Sequence, residues 1–299
     1  MRYGISVPNF GAFGDARFLG SLARDAEASG WDGFFLWDHV AFYPAPHVDP
    51  WVAMAAIALA TRTIRLGALV TPLPRRRPVK FARETVSIDR LSEGRLIVGV
   101  GSGAGVWEFD HFGEEGSARV RAEMLDEALE LVTRLWTGQP VLHEGKHYRF
   151  QGDGGPADPT PRATALLPAA VQRPRIPVWV AGSLPFTRPF IRAARWDGVV
   201  PIKSISSMED DGLLQPEDTR QVVALIRRHR PSDAPFDVTA SGRTSGTDPV
   251  ADRARVVPYA EAGATWWIED VHPWACGWNW QGEWPVDALV ARVRRPPPR

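Results

Sequence analysis

Two hydrophobic periods alternate along this chain. Short continuous apolar runs rich in β-branched and aromatic residues predict buried strands, and segments with apolar residues three or four positions apart predict amphipathic helices. The strand pattern occurs at residues 3–7, 33–37, 64–70, 95–100, 177–181, 198–201, 236–241 and 264–269. Helical patterns follow these runs at residues 15–29, 50–61, 78–91, 117–136, 184–194, 215–230, 248–262 and 286–294.

Eight strands, each followed by a helix, predict an α/β fold, namely a (β/α)8 TIM barrel. A doubly wound sheet is the alternative, although it normally has fewer strands. The 299 residues fit one barrel and show no domain boundary, so we predict a single domain over residues 1–299. A hairpin over 141–143 and 148–151, followed by the Pro-, Ala- and Gly-rich residues 152–174, predicts a loop insertion between strand 4 and strand 5.

Composition and charge narrow the range of partners. Thirty-five Lys and Arg balance 35 Asp and Glu, and a net charge of zero favours neither nucleic acid nor an anionic membrane surface. The single cysteine, Cys276, excludes a disulfide framework, and no Cys/His spacing indicates a metal site. The sequence shows no signal-peptide pattern and no apolar segment long enough to span a bilayer, so we expect a cytoplasmic protein.

Parallel strands end at the same edge of a barrel, so the residues after them should meet at one mouth. These residues are small or polar at almost every strand end: Asn9-Phe10, Asp38-His39, Thr71-Pro72, Ser102-Gly103, Gly182-Ser183, Lys203, Gly242-Arg243 and Glu269-Asp270. Such a set predicts a ligand site. His39 could exchange hydrogen bonds with a bound ring near neutral pH, whereas a capping Asp38 and a structural histidine are the alternative.

Three other segments near this mouth have two interpretations each. The glycines of 99–105 resemble a dinucleotide fingerprint, but they follow the fourth strand and lack its acidic partner, so that reading is rejected. Their amides could still approach an anion, or the turn could need a positive φ. Gly182-Ser183 precedes a predicted helix whose first amides could bind phosphate, or Ser183 could cap it. Arg75-Arg76-Arg77 could attract an anionic ligand or form a solvated surface.

Six of the 13 tryptophans lie between Trp266 and Trp284. Trp266 and Trp267 lie in the eighth strand, so one of them must point outward. Trp274 and Trp278 could form the wall of an apolar substrate pocket, or they could pack their loop onto the barrel. Glu269 and Asp270 are candidate acids at the same rim, with ion pairs to Arg or Lys as the alternative. Nucleophile-elbow, P-loop and paired-histidine patterns are missing, so we expect a cofactor to supply the chemistry.

Several motifs together resemble the luciferase-like superfamily of flavin- and deazaflavin-dependent oxidoreductases. They are Gly30-Trp31-Asp32-Gly33, Trp37-Asp38-His39, Arg65-Leu66-Gly67, Thr71-Pro72-Leu73-Pro74, Asp89-Arg90-Leu91-Ser92-Glu93-Gly94-Arg95, Val98-Gly99-Val100-Gly101, Leu135-Trp136-Thr137-Gly138 and Gly145-Lys146-His147-Tyr148. Shorter matches follow at 178–182, 196–198 and 260–264. The resemblance implies an eight-stranded barrel, a small organic substrate and a homodimer.

The Asp38-His39 pair resembles the branch that uses the deazaflavin coenzyme F420. The resemblance implies that His39 lies near the redox-active ring and Asp38 near its polar edge. It also implies a non-proline cis peptide at Ala68-Leu69, with Thr71 close by. The remaining implied cofactor contacts are Ser102 and Gly103 for its side chain and Gly182 and Ser183 for its phosphate.

One position departs from this branch. Its sugar-phosphate dehydrogenases carry a proton-donating Glu where this sequence has Ala104, and Glu108 would replace it only if its loop bends back. No counterpart of their sugar-phosphate-binding cations is found, so we expect hydride transfer between coenzyme F420 and an apolar or aromatic substrate. The alternatives are an FMN-dependent monooxygenase that inserts oxygen from O2, and a catalytically inactive flavin-binding barrel.

Overall fold

The computed structural model describes residues 1–42, 44–103, 106–150, 165–203 and 213–299. Its barrel strands are β1 (Arg2–Val7), β2 (Gly33–Leu36), β3 (Arg65–Pro72), β4 (Leu96–Gly101), β7 (Val178–Leu184), β8 (Gly198–Lys203), β9 (Asp237–Gly242) and β10 (Trp266–Asp270). They form a closed barrel in the order β1-β10-β9-β8-β7-β4-β3-β2. Two short antiparallel strands, β5 (His143–Glu144) and β6 (Arg149–Phe150), make a hairpin. The predicted (β/α)8 barrel is confirmed.

Helices alternate with the barrel strands in the described part of the chain. They are α1 (Ala16–Ala28), α2 (Pro50–Ala60), α3 (Pro78–Leu91), α4 (Val106–Asp110), α5 (Ala118–Leu135), α6 (Arg188–Ala193), α7 (Pro216–His229), α8 (Pro249–Glu261) and α9 (Val286–Val293). Helix α3 has the predicted bounds. Helix α2 begins where Asp49 accepts hydrogen bonds from Trp51 N and Val52 N, at 2.8 and 3.1 Å, with Pro50 at the first helical position.

The chain divides into two compact units. The first comprises Met1–Thr71, Ile97–Val100 and Pro177–Arg299, and it contains most of the barrel strands. The second comprises Pro72–Leu96 and Gly101–Ile176, and it contains α3, α4, α5 and the hairpin. Residues 151–164 of the predicted loop insertion lie outside the described residues, so the insertion stays a prediction. No helix in the described ranges has both the length and the apolar content that crossing a membrane requires.

Three aromatic rings fill the inside of the barrel. Phe35, Trp179 and Trp266 have ring centroids 5.3–5.8 Å apart, and Val200 and Ile268 join them in one buried cluster. Space for the rings comes from glycine positions on neighbouring strands. A Cβ added at Gly198 would lie 2.4 Å from the Trp179 ring, and one at Gly4 would lie 2.8 Å from the Phe35 ring. The rings and these glycines therefore fix each other's positions.

Trp267 lies on the opposite face of β10 from Trp266, as the strand period requires. It packs outside the barrel with Val256 and Tyr259 of α8, and its ring centroid is 5.3 Å from that of Tyr259. The prediction that one of the two tryptophans points outward is confirmed. The same alternation places Ile268 inside the barrel and Glu269 outside, which decides the roles of the residues at the strand's end.

In the second unit, Glu127 of α5 holds the β5–β6 hairpin. Its carboxylate accepts hydrogen bonds from His147 N at 2.9 Å and Tyr148 N at 2.8 Å, and it lies 3.0 Å from His143 Nε2. Burial raises the pKa of Glu127, but these three hydrogen bonds outweigh it and hold the pKa below its usual value. Since the folded pKa is lowered, the stabilisation is present at neutral pH and is lost as the pH falls through that pKa.

Replacing Glu127 with Ala should release the hairpin from α5. The amides of His147 and Tyr148 would lose a charged acceptor worth about 1.5–3 kcal/mol, so hydrogen exchange at both should accelerate at least tenfold. Glu144→Ala is the control, since Glu144 is an exposed residue of the same hairpin. Equal exchange rates in the two variants would contradict the role of Glu127.

Candidate active site

The carboxyl ends of the barrel strands in the first unit bring Asp38 and Thr71 together. Thr71 Oγ1 donates a hydrogen bond to Asp38 Oδ2 at 2.7 Å, and both side chains are buried. The two residues follow β2 and end β3, neighbouring strands that pair through Leu36 and Ala68. The sequence placed both at one mouth, and the structure shows them in direct contact.

His39 follows Asp38 with its backbone fixed by Asn9. Asn9 is fully buried, its Nδ2 donates to His39 O at 2.8 Å and its Oδ1 accepts from His39 N at 3.2 Å. The half-buried imidazole has its centroid 4.6 Å from the ring of Phe42 and 6.0 Å from Trp37. The buried amide of Asn9 therefore fixes the backbone of His39 at the mouth.

The non-proline cis peptide bond lies one residue later than predicted. It joins Leu69 and Val70, not Ala68 and Leu69. Ala68 is still regularly paired with Leu36 of β2, so the cis bond lies just beyond this paired part of β3.

Gly182 and Ser183 also lie elsewhere than predicted. They are inside β7, paired with Pro201 and Ile202 of β8, and not at the start of a helix. Strand β8 extends to Lys203 and supplies pairing partners as far as Leu184, so the following helix begins only at Arg188. The prediction that Gly182 and Ser183 bind phosphate at the N-terminus of a helix is therefore wrong. Contact between a phosphate and the amides of this strand stays a prediction.

Ser102 and Gly103 belong to the second unit, directly after β4. Ser102 O accepts a hydrogen bond from Arg121 Nε at 3.0 Å. Gly103 has a φ of +88°, and an added Cβ would lie 2.3 Å from the Phe109 ring, so the turn does need glycine. Their predicted contacts with a cofactor side chain stay a prediction.

Glu108 does not offer the predicted replacement for the missing Glu. It is 2% exposed, and its Oε1 lies 3.5 Å from Arg75 Nη1. Arg75 also bonds Glu114 at 2.6 Å and lies over the Phe109 ring at 4.3 Å. Both residues are thus engaged within the second unit, which favours a structural role for Arg75 over attraction of an anionic ligand. Ala104 lies outside the described residues.

The tryptophan-rich loop after β10 packs against the β1 and β2 ends of the barrel. Trp274 lies parallel to Trp37, with an angle of 3° between planes and centroids 6.3 Å apart, and it contacts Phe10 and Phe42. Trp278 is buried beside Trp274, with centroids 5.6 Å apart. Trp274 Nε1 is buried and has no acceptor within the described residues. The loop thus packs onto the barrel and also forms an aromatic wall at its mouth.

Glu269 faces away from this wall, which corrects its assignment to the substrate pocket. Its carboxylate accepts from Trp267 Nε1 at 2.9 Å, Thr244 N at 2.6 Å and Arg292 Nε at 3.2 Å. With 1% of its surface exposed, Glu269 ties α9 to the ends of β9 and β10. The odd-even alternation of β10 explains the outcome, because Trp267 and Glu269 share its outer face.

Asp270 is the last residue of β10, and its carboxyl group lies within the electrostatic influence of Arg243 at the end of β9. Burial and the charge of Glu269 raise the pKa of Asp270 to about 8, although Arg243 acts in the opposite direction. Burial, assisted by Arg243, lowers the pKa of His272 to about 3. At neutral pH Asp270 is therefore mostly protonated, and His272 is a neutral ring packed 5.6 Å from Trp37 and from Trp274.

A family model described as luciferase-like monooxygenase matches residues 1–272, which include all eight barrel strands. The chain belongs to the luciferase-like monooxygenase family. Within the described ranges, no group of three or more His, Cys, Asp or Glu is arranged to hold a metal ion.

The curated relatives match only part of this chain. F420-dependent glucose-6-phosphate dehydrogenase of Nakamurella multipartita is 32% identical over 152 residues, 48% of this chain and 44% of the relative. The oxygenase component of flavin-dependent trigonelline monooxygenase of Acinetobacter baylyi is 27% identical over 169 residues, 56% of this chain and 44% of the relative. The matched segment therefore spans less than half the length of these relatives.

Solved structures share the fold over nearly the whole chain. An F420-dependent secondary alcohol dehydrogenase in complex with an F420-acetone adduct aligns with a TM-score of 0.72 at 16% identity, covering 91% of this chain and 94% of the other. Monooxygenase RslO1 from Streptomyces bottropensis aligns with a TM-score of 0.72 at 22% identity, covering 99% and 97%.

For this luciferase-like chain, the sequence pattern gave too little weight to Asn9, Arg243, Asp270 and His272. The first three follow or end predicted strands, so their position was visible. The sequence did not show which alternate residues of each strand point into the barrel. A shift of one residue in that assignment exchanges all inner and outer side chains of the strand. Knowing that Trp266 points inward would have assigned Asp270 to the mouth and Glu269 to the outside.

The buried ion pair between Arg292 and Glu269 should contribute more to the free energy of unfolding than the exposed ion pair between Arg294 and Asp25. Arg292→Leu leaves the Glu269 charge unpaired in a buried position, which costs about 3–5 kcal/mol. Arg294→Leu is the matched control, since Arg294 is 63% exposed and its ion pair with Asp25 is worth at most about 1 kcal/mol. Urea unfolding measures both losses, and similar losses would show that the Glu269 network is not structural.

Proposed function

We propose that this protein is an oxidoreductase that transfers hydride between coenzyme F420 and an apolar or aromatic organic substrate. The buried Asp38–Thr71 hydrogen bond at the barrel mouth, with His39 fixed beside it, carries the proposal. The relatives that use F420 support the choice of cofactor. We further propose that residues 1–299 act as one barrel domain in the cytoplasm, with a small molecule as partner and no role in nucleic-acid or membrane binding.

A polar atom at the mouth fits a flat heteroaromatic ring. Trp274 Nε1 is buried and has no acceptor among the described residues. Burying such a donor without a partner is unfavourable, and a ring carrying carbonyl oxygens and ring nitrogens would supply an acceptor. Trp37 and Trp274 provide parallel aromatic faces nearby. The first unit therefore offers both stacking surfaces and a donor to such a ring.

Each residue of the site has a separable role in this proposal. A bound deazaflavin supplies the carbon that gives or accepts the hydride. Thr71 holds the Asp38 carboxylate in one orientation toward the polar edge of the ring. His39, fixed through Asn9, would orient the ring and relay a proton. The other proposed cofactor contacts are Ala68, Leu69, Ser102, Gly103, Gly182 and Ser183. The proposed substrate contacts are Trp274 and Trp278.

An FMN-dependent monooxygenase is the second candidate function. The relative from Acinetobacter baylyi, a flavin-dependent monooxygenase component, favours it. Both candidates need a flat ring at the same mouth, so the residues described above do not separate them. A catalytically inactive flavin-binding barrel would bind either cofactor without turnover.

Titration of the purified protein with coenzyme F420 and with FMN tests the cofactor. Tight F420 binding with FMN binding at least tenfold weaker is expected, measured by ring fluorescence. The opposite preference would contradict the F420 proposal and favour the monooxygenase, which oxygen uptake would then check. Binding of neither would contradict both.

His39→Ala tests the role of the mouth in the same assay. Because His39 lies at the strand ends and not in the core, F420 affinity should fall about tenfold while the melting temperature changes by no more than a few degrees. His229→Ala, at an exposed position on α7, is the control. Parallel loss of affinity and melting temperature would show that His39 is structural.

We also propose that the protein is a homodimer joined through α2. This helix is apolar on all sides, and Val52 and Leu59, seven residues apart on one face, are 61% and 74% exposed. Met54 and Ile57 on other faces are fully buried. An exposed apolar strip of this kind is typical of a surface covered by a second subunit.

A charge on that face should separate the subunits. Leu59→Glu is expected to yield monomer in analytical ultracentrifugation, since a charge buried against apolar side chains is unfavourable. Val250→Glu is the control, because Val250 is 81% exposed on α8. A wild-type monomer, or a dimer that survives Leu59→Glu, would contradict an α2 interface.

A further inference from the structure

Arg243 is a cation at the barrel mouth without an acidic partner among the described residues. It follows β9, whose Thr239 and Ser241 pair with the inward-facing Trp266 and Ile268 of β10. Continuing this alternation places Arg243 at the inner side of the barrel's carboxyl edge. Its Nε is buried without an acceptor, and no carboxylate of the described ranges lies within 4.0 Å of the guanidinium.

The acidic groups nearest Arg243 do not neutralise it. Glu269 points to the outer face and is paired with Arg292 at 3.2 Å. Asp270 is mostly protonated at neutral pH because burial and the Glu269 charge outweigh the effect of Arg243. His272 is neutral. None of Glu269, Asp270 and His272 therefore compensates the positive charge of the Arg243 guanidinium.

Aromatic rings connect this charge to the rest of the mouth. Arg243 acts electrostatically on His272, and the His272 ring lies 5.6 Å from the centroids of both Trp37 and Trp274. A ligand that meets both features has a flat apolar body and an anionic end.

We infer that Arg243 binds the carboxylate of the substrate and that the substrate is a planar aromatic carboxylate. This inference rests on the proposed function of the mouth as the substrate site. A guanidinium matches a carboxylate with two parallel hydrogen bonds, and aromatic walls stack on a flat ring. The pairing would also remove the cost of burying the Arg243 charge alone.

Protonation of Asp270 gives the site a pH dependence. Below about pH 8, Asp270 is neutral and leaves Arg243 to the ligand. As the pH rises through this value, the new carboxylate competes for Arg243 and repels the anionic ligand, so affinity falls. Glu269 is paired with Arg292, His272 is already neutral, and Asp38 is held by Thr71 at the β2 and β3 ends. Arg243 also acts on the Cys276 thiol, but burial raises the pKa of that thiol above its usual value, so it titrates above the range in which Asp270 does. Asp270→Asn should therefore remove this pH dependence.

Calorimetric titration with 2-naphthoate and its neutral analogue 2-naphthamide tests the inference. The protein is saturated beforehand with whichever of coenzyme F420 or FMN it binds. Wild type is expected to prefer naphthoate, and Arg243→Gln should weaken naphthoate at least tenfold, about 1.4 kcal/mol, while changing naphthamide less than threefold. Arg243→Lys should restore part of the affinity. Arg253→Gln, which removes an exposed charge on α8, is the control.

The outcomes separate this inference from the proposed function. Equal affinity for the two probes, no naphthoate binding, or an equal effect of Arg253→Gln would overturn the role of Arg243. Loss of cofactor affinity in Arg243→Gln without loss of naphthoate affinity would assign the charge to the cofactor and also overturn it. If neither cofactor binds, the proposed function fails, and titration of the free protein still decides whether Arg243 binds an aromatic carboxylate.

Discussion

This site depends on one constraint, namely which side chains of each strand point into the barrel. Phe35, Trp179 and Trp266 fill the barrel interior because the glycines opposite them leave room for their rings. Once these rings point inward, the period of two fixes every other side chain on the same strands. Trp267 must then pack on α8 and Glu269 must face Arg292, while Asp270 returns to the mouth. Packing at the closed core thus determines that Glu269 is structural and that Asp270 lies at the mouth.

Asp38 and Asp270 illustrate how environment gives different properties to carboxyl groups at one mouth. Thr71 donates to Asp38, so its position is fixed by a neighbouring strand. Asp270 has Glu269 beside it and little solvent, and both effects raise its pKa. The resulting neutral acid leaves the positive charge of Arg243 uncompensated. The protonation of carboxyl groups at the mouth therefore depends on burial as much as on residue type.

In the second unit, hydrogen bonds to side chains hold the β5–β6 hairpin and the segment around Val171 in place. Glu127 receives two backbone amides of the hairpin, and Asp89 accepts from Val171 N and Gln172 N at 2.6 and 3.2 Å. Trp136 Nε1 donates to Thr85 Oγ1 at 2.7 Å, which joins α5 to α3. These residues lie within or next to motifs that resemble the family pattern. Several of those motifs are therefore explained by folding, not by contact with a ligand.

Hydrophobic period, strand count and capping residues determined the barrel, helix α3 and the start of α2, because these depend on near neighbours in sequence. The sequence also placed Asp38, His39 and Thr71 at one mouth, since the ends of parallel strands meet. Only the tertiary structure decided that β7 continues through Ser183, because β8 supplies its partners. It also decided that Glu269 faces outward and that Arg243 lacks a described acidic partner. Those outcomes depend on which side of each strand is packed, and a sequence of alternating small and large residues fits either side until the rings are placed.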